Sequence, residues 1–130
     1  MGFEKFINTN KRTESRITIT KFNLFGFPTK FYEENIMDKY NHVVLYWNKV
    51  EREIGLHFIS DENEKYKFKI IHNKNGYGGQ IIATSFFKVN GIDPSVHRKR
   101  YDWEKKYVDG IGELYIIKLS PNNNFSAKEN

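Results

Sequence analysis

Seven consecutive residues, His97-Arg98-Lys99-Arg100-Tyr101-Asp102-Trp103, hold the densest chemistry in the chain. Guanidinium and ammonium groups neutralise phosphates and release the counterions condensed around a nucleic acid, and a ring such as Tyr101 or Trp103 can stack on a base. Lys105 and Lys106 extend the run, so that from His97 to Lys106 five Lys and Arg face only Asp102 and Glu104. The cluster reads as an anion-binding surface from which Arg98 and Arg100 reach base edges. It reads equally as a solvated strand face with Trp103 in the core. Lys69, Lys74 and Lys88 would enlarge the surface if the fold brought them beside it. The whole chain leans the same way: 21 Lys and Arg against 16 Asp and Glu give +5, a balance that favours an anionic partner.

Other reactive groups are sparse. Gly76-Tyr77-Gly78-Gly79 has the bare backbone of a phosphate loop, but no Gly-Lys-Ser/Thr follows and a strand rather than a helix comes next. It reads as a hairpin turn whose N–H groups, with Lys74 nearby, can still touch a backbone phosphate. His42, His57, His72 and His97 have no i, i+2 or i, i+4 spacing, so no metal site is expected. Neither Ser60-Asp61 nor Ser85 lies in a nucleophile elbow. The chain has no cysteine, which excludes disulfides and thiolate chemistry. The expectation is a protein without catalytic activity and without a cofactor. The amino terminus lacks a long apolar run, and Met1-Gly2 opens like a myristoylation signal that fails at Phe6. A soluble, cytoplasmic protein away from membranes is expected, as a monomer or homodimer.

The elements that must position these groups are mostly strands. A chain of 130 residues with 11 Phe, 8 Tyr and 2 Trp can bury one real core, and aromatic residues suit pleated, half-buried surfaces. Residues 1–15 read as an amino-terminal arm. Ile17 and Ile19 alternate with Thr18 and Thr20 in a strand over Arg16–Phe22, followed by a break over Asn23–Pro28. Tyr32, Ile36 and Tyr40 give a helix over Lys30–Tyr40, with Thr29 as its cap. Val43–Trp47 and Ile54–Ile59 form a hairpin, and Asp61–Lys65 is a short charged linker. Strands follow at Tyr66–Ile71 and Gln80–Ala83. A helix over Ser85–Asn90 is capped by Thr84 or Ser85 and stopped by a left-handed Gly91, with Ile92 folding back. Strands at Val96–Trp103 and Glu113–Leu119 complete the pattern, and residues 120–130 read as a disordered tail.

These elements recur in order. Strand, glycine break, helix, a strand ending in Trp47 and then Ile54-Gly55 parallel strand, glycine loop, helix, a strand ending in Trp103 and then Ile111-Gly112. The expected fold is therefore mainly β with short helices. Two β-α-β-β repeats, residues 16–60 and 66–119, would make one small closed barrel, since either half alone would expose strand edges.

Gln80–Pro94, with Phe86 and Gly91-Ile92 in a helix-plus-glycine arrangement, resembles the AbrB/MazE/SpoVT swapped-hairpin family. Phe27-Pro28 sits where that family often has an apolar residue and a proline. A double-psi barrel is a close competitor. The resemblance implies two fused half-barrels in one chain and a DNA-binding regulator, with double-stranded DNA as partner. Its grip residues would fall at Arg16 and Lys21 in the first half and at Lys69, Lys74 and Lys88 in the second. The chain departs from the pattern at Glu33-Glu34, which put the first copy's DNA face in doubt. The other open reading is a protein-interaction module, an antitoxin-like inhibitor, phage accessory factor or subunit, working through Phe3, Phe6 and Tyr77.

Overall fold

The computed structural model describes residues 2–3 and 14–120; most of the expected arm and all but one residue of the expected tail fall outside them. The fold is mainly β, with two antiparallel five-stranded sheets and a few short helices. In chain order the elements are β1 (Ile17–Ile19), β2 (Leu24–Phe27), α1 (Thr29–Glu34), β3 (His42–Asn48), β4 (Glu53–Ile59), β5 (Phe68–Lys69), β6 (Ile71–His72), β7 (Gly79–Ile82), α2 (Thr84–Val89), α3 (Pro94–His97), β8 (Lys99–Tyr101), β9 (Glu104–Val108) and β10 (Gly112–Lys118). The first sheet has the order β6-β7-β2-β1-β8 and the second β5-β3-β4-β10-β9.

Between the sheets lies a single aromatic-rich core. Ile17, Ile19, Phe25, Phe27 and Ile81 point in from the first sheet, and Val43, Ile54, Leu56, Phe58 and Ile117 from the second. Phe31 of α1 bridges them, its ring packing against Phe27, Phe58, Trp103 and Tyr115 at centroid separations of 5.2–6.1 Å. At two places the backbone passes directly from one sheet to the other. Residues 68–69 pair with β3 in the second sheet and 71–72 with β7 in the first, turning at buried Ile70. Residues 99–101 pair with β1, and 104–108 with β10, turning at Asp102-Trp103.

Sheet order shows how the halves correspond. Exchanging β1-β2 for β6-β7, and β3-β4 for β9-β10, leaves the central order of both sheets unchanged. Each half is thus a hairpin, a helix and a second hairpin, one strand more than the expected β-α-β-β. The difference arises at Asn23–Pro28, which reads as a break but holds β2. Phe25 and Phe27 alternate inward there, and Gly26 faces Thr18 across the ladder.

The helices correspond residue by residue at an offset of 84 − 29 = 55. Thr29, Phe31, Asn35 and Asp38 recur as Thr84, Phe86, Asn90 and Asp93; His42 and Tyr46 of β3 stand at the same offset from His97 and Tyr101, but those lie in α3 and β8, outside the hairpin that matches β3-β4. Both helices end alike: the Asn35 side-chain amide donates to the Phe31 carbonyl at 3.0 Å, and that of Asn90 to the Phe86 carbonyl at 2.9 Å. The next residue is left-handed in each, Ile36 at φ 51° and Gly91 at φ 66°. In the second copy the Ile92 N–H closes onto the Phe87 carbonyl at 2.9 Å, the six-to-one bond of a glycine stop.

Several sequence expectations change. Neither Thr29 nor Thr84 and Ser85 caps its helix; Pro28 and Ala83 occupy the cap positions without a side-chain bond. The helix expected to run to Tyr40 stops at Glu34 because Ile36 leaves the right-handed region, and a separate 3₁₀ turn covers Met37–Lys39. The strand expected over Val96–Trp103 begins as α3, where Asp93 accepts from the Ser95 N–H and Pro94 sets the first helical φ. The two tryptophans are not equivalent. Trp47 lies near the β3–β4 turn opposite Ile54, whereas Trp103 precedes β9 at the far end of its hairpin.

Candidate nucleic-acid interface

The outer face of the first sheet is built from side chains that alternate away from the core. Because Thr18 pairs with Arg100 and Gly26, and Gln80 with Gly26 and Ile71, one row reads Arg100, Thr18, Gly26, Gln80, Ile71 from edge to edge. Small residues dominate its centre, leaving a flat floor that a polymer backbone can approach closely. On its β8 side an open groove of about 810 Å³ is lined by Arg16, Thr18, Ile19, Thr20, Lys21, Arg98, Lys99 and Arg100. A second hollow, of about 320 Å³, shares Thr18 and Arg100 with it and continues past Gly26 and Pro28 to Asn73 and Tyr77.

Five of the residues singled out from sequence therefore meet: Arg16, Lys21, Arg98, Lys99 and Arg100. Antiparallel β1 and β8 bring them together, with α3 ending at Arg98 and delivering the chain into the edge strand. Lys99 takes the inward phase of β8, but at the sheet edge its ammonium lies over the Tyr101 ring, 4.9 Å from the centroid.

Glu14 lines the second hollow, at the boundary it shares with the groove. Its carboxylate accepts from Nε and Nη2 of Arg16, both at 2.9 Å, and from the Arg16 N–H at 2.9 Å, and it lies 3.8 Å from Arg100. These bonds to Arg16 hold the Glu14 carboxyl down at about 2, and Arg16 is correspondingly raised. Glu14 stays ionised across ordinary working pH, so acidification does not free the two arginines.

The remaining expected residues go elsewhere. Lys69 is exposed on β5 in the second sheet, opposite His42. Lys74 sits in the 3₁₀ turn Lys74–Gly76, and Lys88 is exposed in the last turn of α2. Lys105 and Lys106 are on β9, where Lys105 lies over the Tyr115 ring and Lys106 is 3.9 Å from Glu104. None of these five lines the groove.

Tyr101 and Trp103 are not the stacking groups. Tyr101 is buried, its hydroxyl donates to the His97 carbonyl, and burial pushes its pKa up to about 12. Trp103 packs edge-on against Phe31 and donates its indole N–H to the Ser15 carbonyl at 2.8 Å. Among the exposed aromatics, which also include Phe3, Tyr66 and Tyr107, Phe22 at 68% and Tyr77 at 64% lie in turns of the first sheet. Phe22 occupies the β1–β2 turn with the Lys21 ammonium over its ring at 5.3 Å. Tyr77 belongs to the glycine loop, which the fold sets at the end of the second hollow. The sequence signal for Phe22 is a large ring inside a polar turn, Lys21-Phe22-Asn23.

Two of the histidines are separately engaged. His72 donates Nε2–H to the Tyr40 carbonyl at 3.0 Å and accepts the Tyr32 hydroxyl at Nδ1, 2.8 Å away. His57 donates Nδ1–H to the Glu113 carbonyl at 2.8 Å. Among the described residues no three His, Cys, Asp or Glu side chains group as metal ligands, and no helix is long and apolar enough to cross a membrane.

Comparison with protein-family models, with curated proteins and with solved structures gives no match for this chain.

Proposed function

We propose that this is a small nucleic-acid-binding protein, a DNA-binding regulator of the AbrB-like type, that holds phosphates on the outer face of its first sheet. The observation that carries the reading is the gathering of Arg16, Lys21, Arg98, Lys99 and Arg100 along one open groove. Their donors project from a rigid two-strand ladder, so little order has to be imposed on binding. The flat Thr-Gly-Gln floor lets a backbone lie close, and the glycine loop brings further N–H groups to the far end.

The same reading takes the two sheets as one closed barrel. Support comes from the segments that turn at Ile70 and at Asp102-Trp103, each of which leaves one sheet edge and enters the edge of the other. Closure in this way removes free edges and fixes the groove on a stiff wall.

A salt titration tests the function. With five cations engaged, log K against log salt falls with a slope of roughly −3.5 on single strands to −4.5 on duplex DNA. Absence of DNA binding at low salt, or binding indifferent to salt, rejects the proposal. The second reading, a protein-interaction module, is favoured by the outer face of the second sheet, where Val44, Tyr46, Leu114 and Ile116 surround Gly55. Charge reversal at Arg98, Lys99 and Arg100 separates the two: it abolishes DNA retention under the first and leaves a protein contact intact under the second.

A further inference from the structure

We infer that the nucleic acid taken by this face is an unpaired single strand, held by base stacking at both ends of the sheet. The inference rests on reading the face as a nucleic-acid surface, and it replaces the duplex that an AbrB-like regulator would take with a single strand. Its basis is the placement of Phe22 and Tyr77. These residues are related by the same offset, 77 − 22 = 55, that relates the two helices. Phe22 lies in the turn that joins β1 to β2, and Tyr77 in the turn that joins β6 to β7. Because β2 and β7 run antiparallel side by side, with Leu24 opposite Ile82 and Phe27 opposite Gly79, these turns lie at opposite ends of the ladder. The phase of the ladder puts Gly78 opposite Pro28, so the four residues of β2, flanked by Asn23 and Pro28, separate the two turns by roughly 15–20 Å.

The groove reaches Lys21, whose ammonium lies over the Phe22 ring, and its continuing hollow, joined to it through Thr18 and Arg100, is lined by Tyr77. A strand laid from Phe22 to Tyr77 thus meets a ring at either end, with small side chains beneath it and arginines along one side. That combination of stacking platforms with a cationic track is what single-strand binding requires, since every unpaired base offers a face to an aromatic ring. A duplex has its bases stacked inward and meets a flat, open face with its phosphate ridges alone; among the described residues no helix or ribbon projects from this face to enter a groove. A span of this length suits two or three bases, as on other sheet platforms. Deoxyribose and ribose strands share this chemistry.

The test is fluorescence anisotropy at low salt with the full chain, using labelled oligothymidylate and oligouridylate of about 12 nucleotides, within the site sizes of single-strand binders, and a mixed-sequence duplex of similar length. Either single strand is expected to bind at least about 10-fold tighter than the duplex. Phe22→Ala and Tyr77→Ala are each expected to weaken single-strand binding by roughly 5- to 100-fold while leaving duplex affinity unchanged. Both side chains are exposed, so the variants keep the fold, and unchanged circular dichroism checks this. Equal or tighter duplex binding, or single-strand affinity untouched in Phe22→Ala/Tyr77→Ala, overturns the inference while the cationic face stands. Loss of salt-dependent binding to all three ligands brings down the underlying reading instead.

Discussion

The two halves of the chain stop their helices with the same asparagine bond but different residues in the left-handed position, and only the second adds the six-to-one bond of Ile92. After α1 the left-handed position is held by Ile36, after α2 by Gly91. Glycine accepts a positive φ without penalty, whereas a β-branched side chain there crowds its own backbone. Ile36 gains little from burial in exchange, since it is 55% exposed. One half is therefore relaxed at its stop and the other is strained, although Asn35 and Asn90 make the same bond in each. The next residue in each copy imposes the stop, because Met37 and Ile92 must both turn back into the core.

The halves also contribute unequally to the core, and the largest expected effect breaks them apart there. Phe31 is fully buried and touches rings from both sheets, while its counterpart Phe86 retains slight exposure and packs on Phe25 and Phe87. Phe31→Ala is expected to cost about 3–5 kcal/mol, and Phe86→Ala to fall at or below the lower end of that range. Urea unfolding of the two variants measures the difference. Equal losses would mean that Phe31 does not tie the sheets together.

Exchanging the stop residues sharpens the contrast. Gly91→Ile is expected to destabilise by about 1–2 kcal/mol, the cost of a left-handed non-glycine residue. Ile36→Gly relieves that strain and is expected to raise stability by up to about 1 kcal/mol, the greater flexibility of glycine in the unfolded chain taking back the rest. Shifts of the urea midpoint in opposite directions are the check. A loss of stability in Ile36→Gly would show that Ile36 is held in place by packing worth more than its strain.

Much of this organisation is legible in the residues alone. The alternation of Ile17 and Ile19, the Gly91-Ile92 stop and the mainly β character all arise from local rules that the fold leaves untouched. The register of the repeat was not legible, because Trp47 and Trp103 are conspicuous but unrelated. The shared Thr, Phe, Asn, Asp and His are common residues, and their significance lies only in a constant offset. Strand β2 was hidden by Gly26 and Pro28, which read as breakers until Thr18 is seen packing against the glycine. The basic cluster gave the groove, but pairing with β1 decides which cations join it. Tyr101 went inward because the outward phase of the short edge strand β8 falls on Arg100.

Glu14 offers a smaller effect confined to the groove of the first sheet. Its carboxylate occupies the position beside Arg16 and Arg100 that a phosphate would take. Glu14→Gln removes this internal competitor, and oligonucleotide affinity is expected to rise about 2- to 5-fold, the modest gain that an exposed, solvent-screened ion pair allows. Anisotropy at fixed low salt reads it. An unchanged affinity would mean that the arginines bind phosphate without leaving Glu14.

The smallest effect concerns two histidines related by the 55-residue offset but set in different elements, His42 in β3 and His97 in α3. Nδ1 of His42 lacks a hydrogen-bond partner, but the Glu62 carboxylate stands 3.8 Å from it. His97 is buried with Nδ1 unpartnered, and burial together with Arg52 and Lys99 lowers its pKa, outweighing the opposite pull of Asp93. A lowered histidine pKa means that the unfolded chain takes up a proton first as pH falls. The contribution to stability is thus complete above the ordinary histidine value of 6.5 and is lost as pH drops through it toward the lower folded value. Urea midpoints between about pH 7 and pH 5 should fall in the wild type and fall less in His97→Leu, which keeps the site apolar and removes the titrating ring. If both proteins lose stability in parallel over that range, the acid sensitivity arises elsewhere, and the difference between the two histidines is one of position rather than of charge.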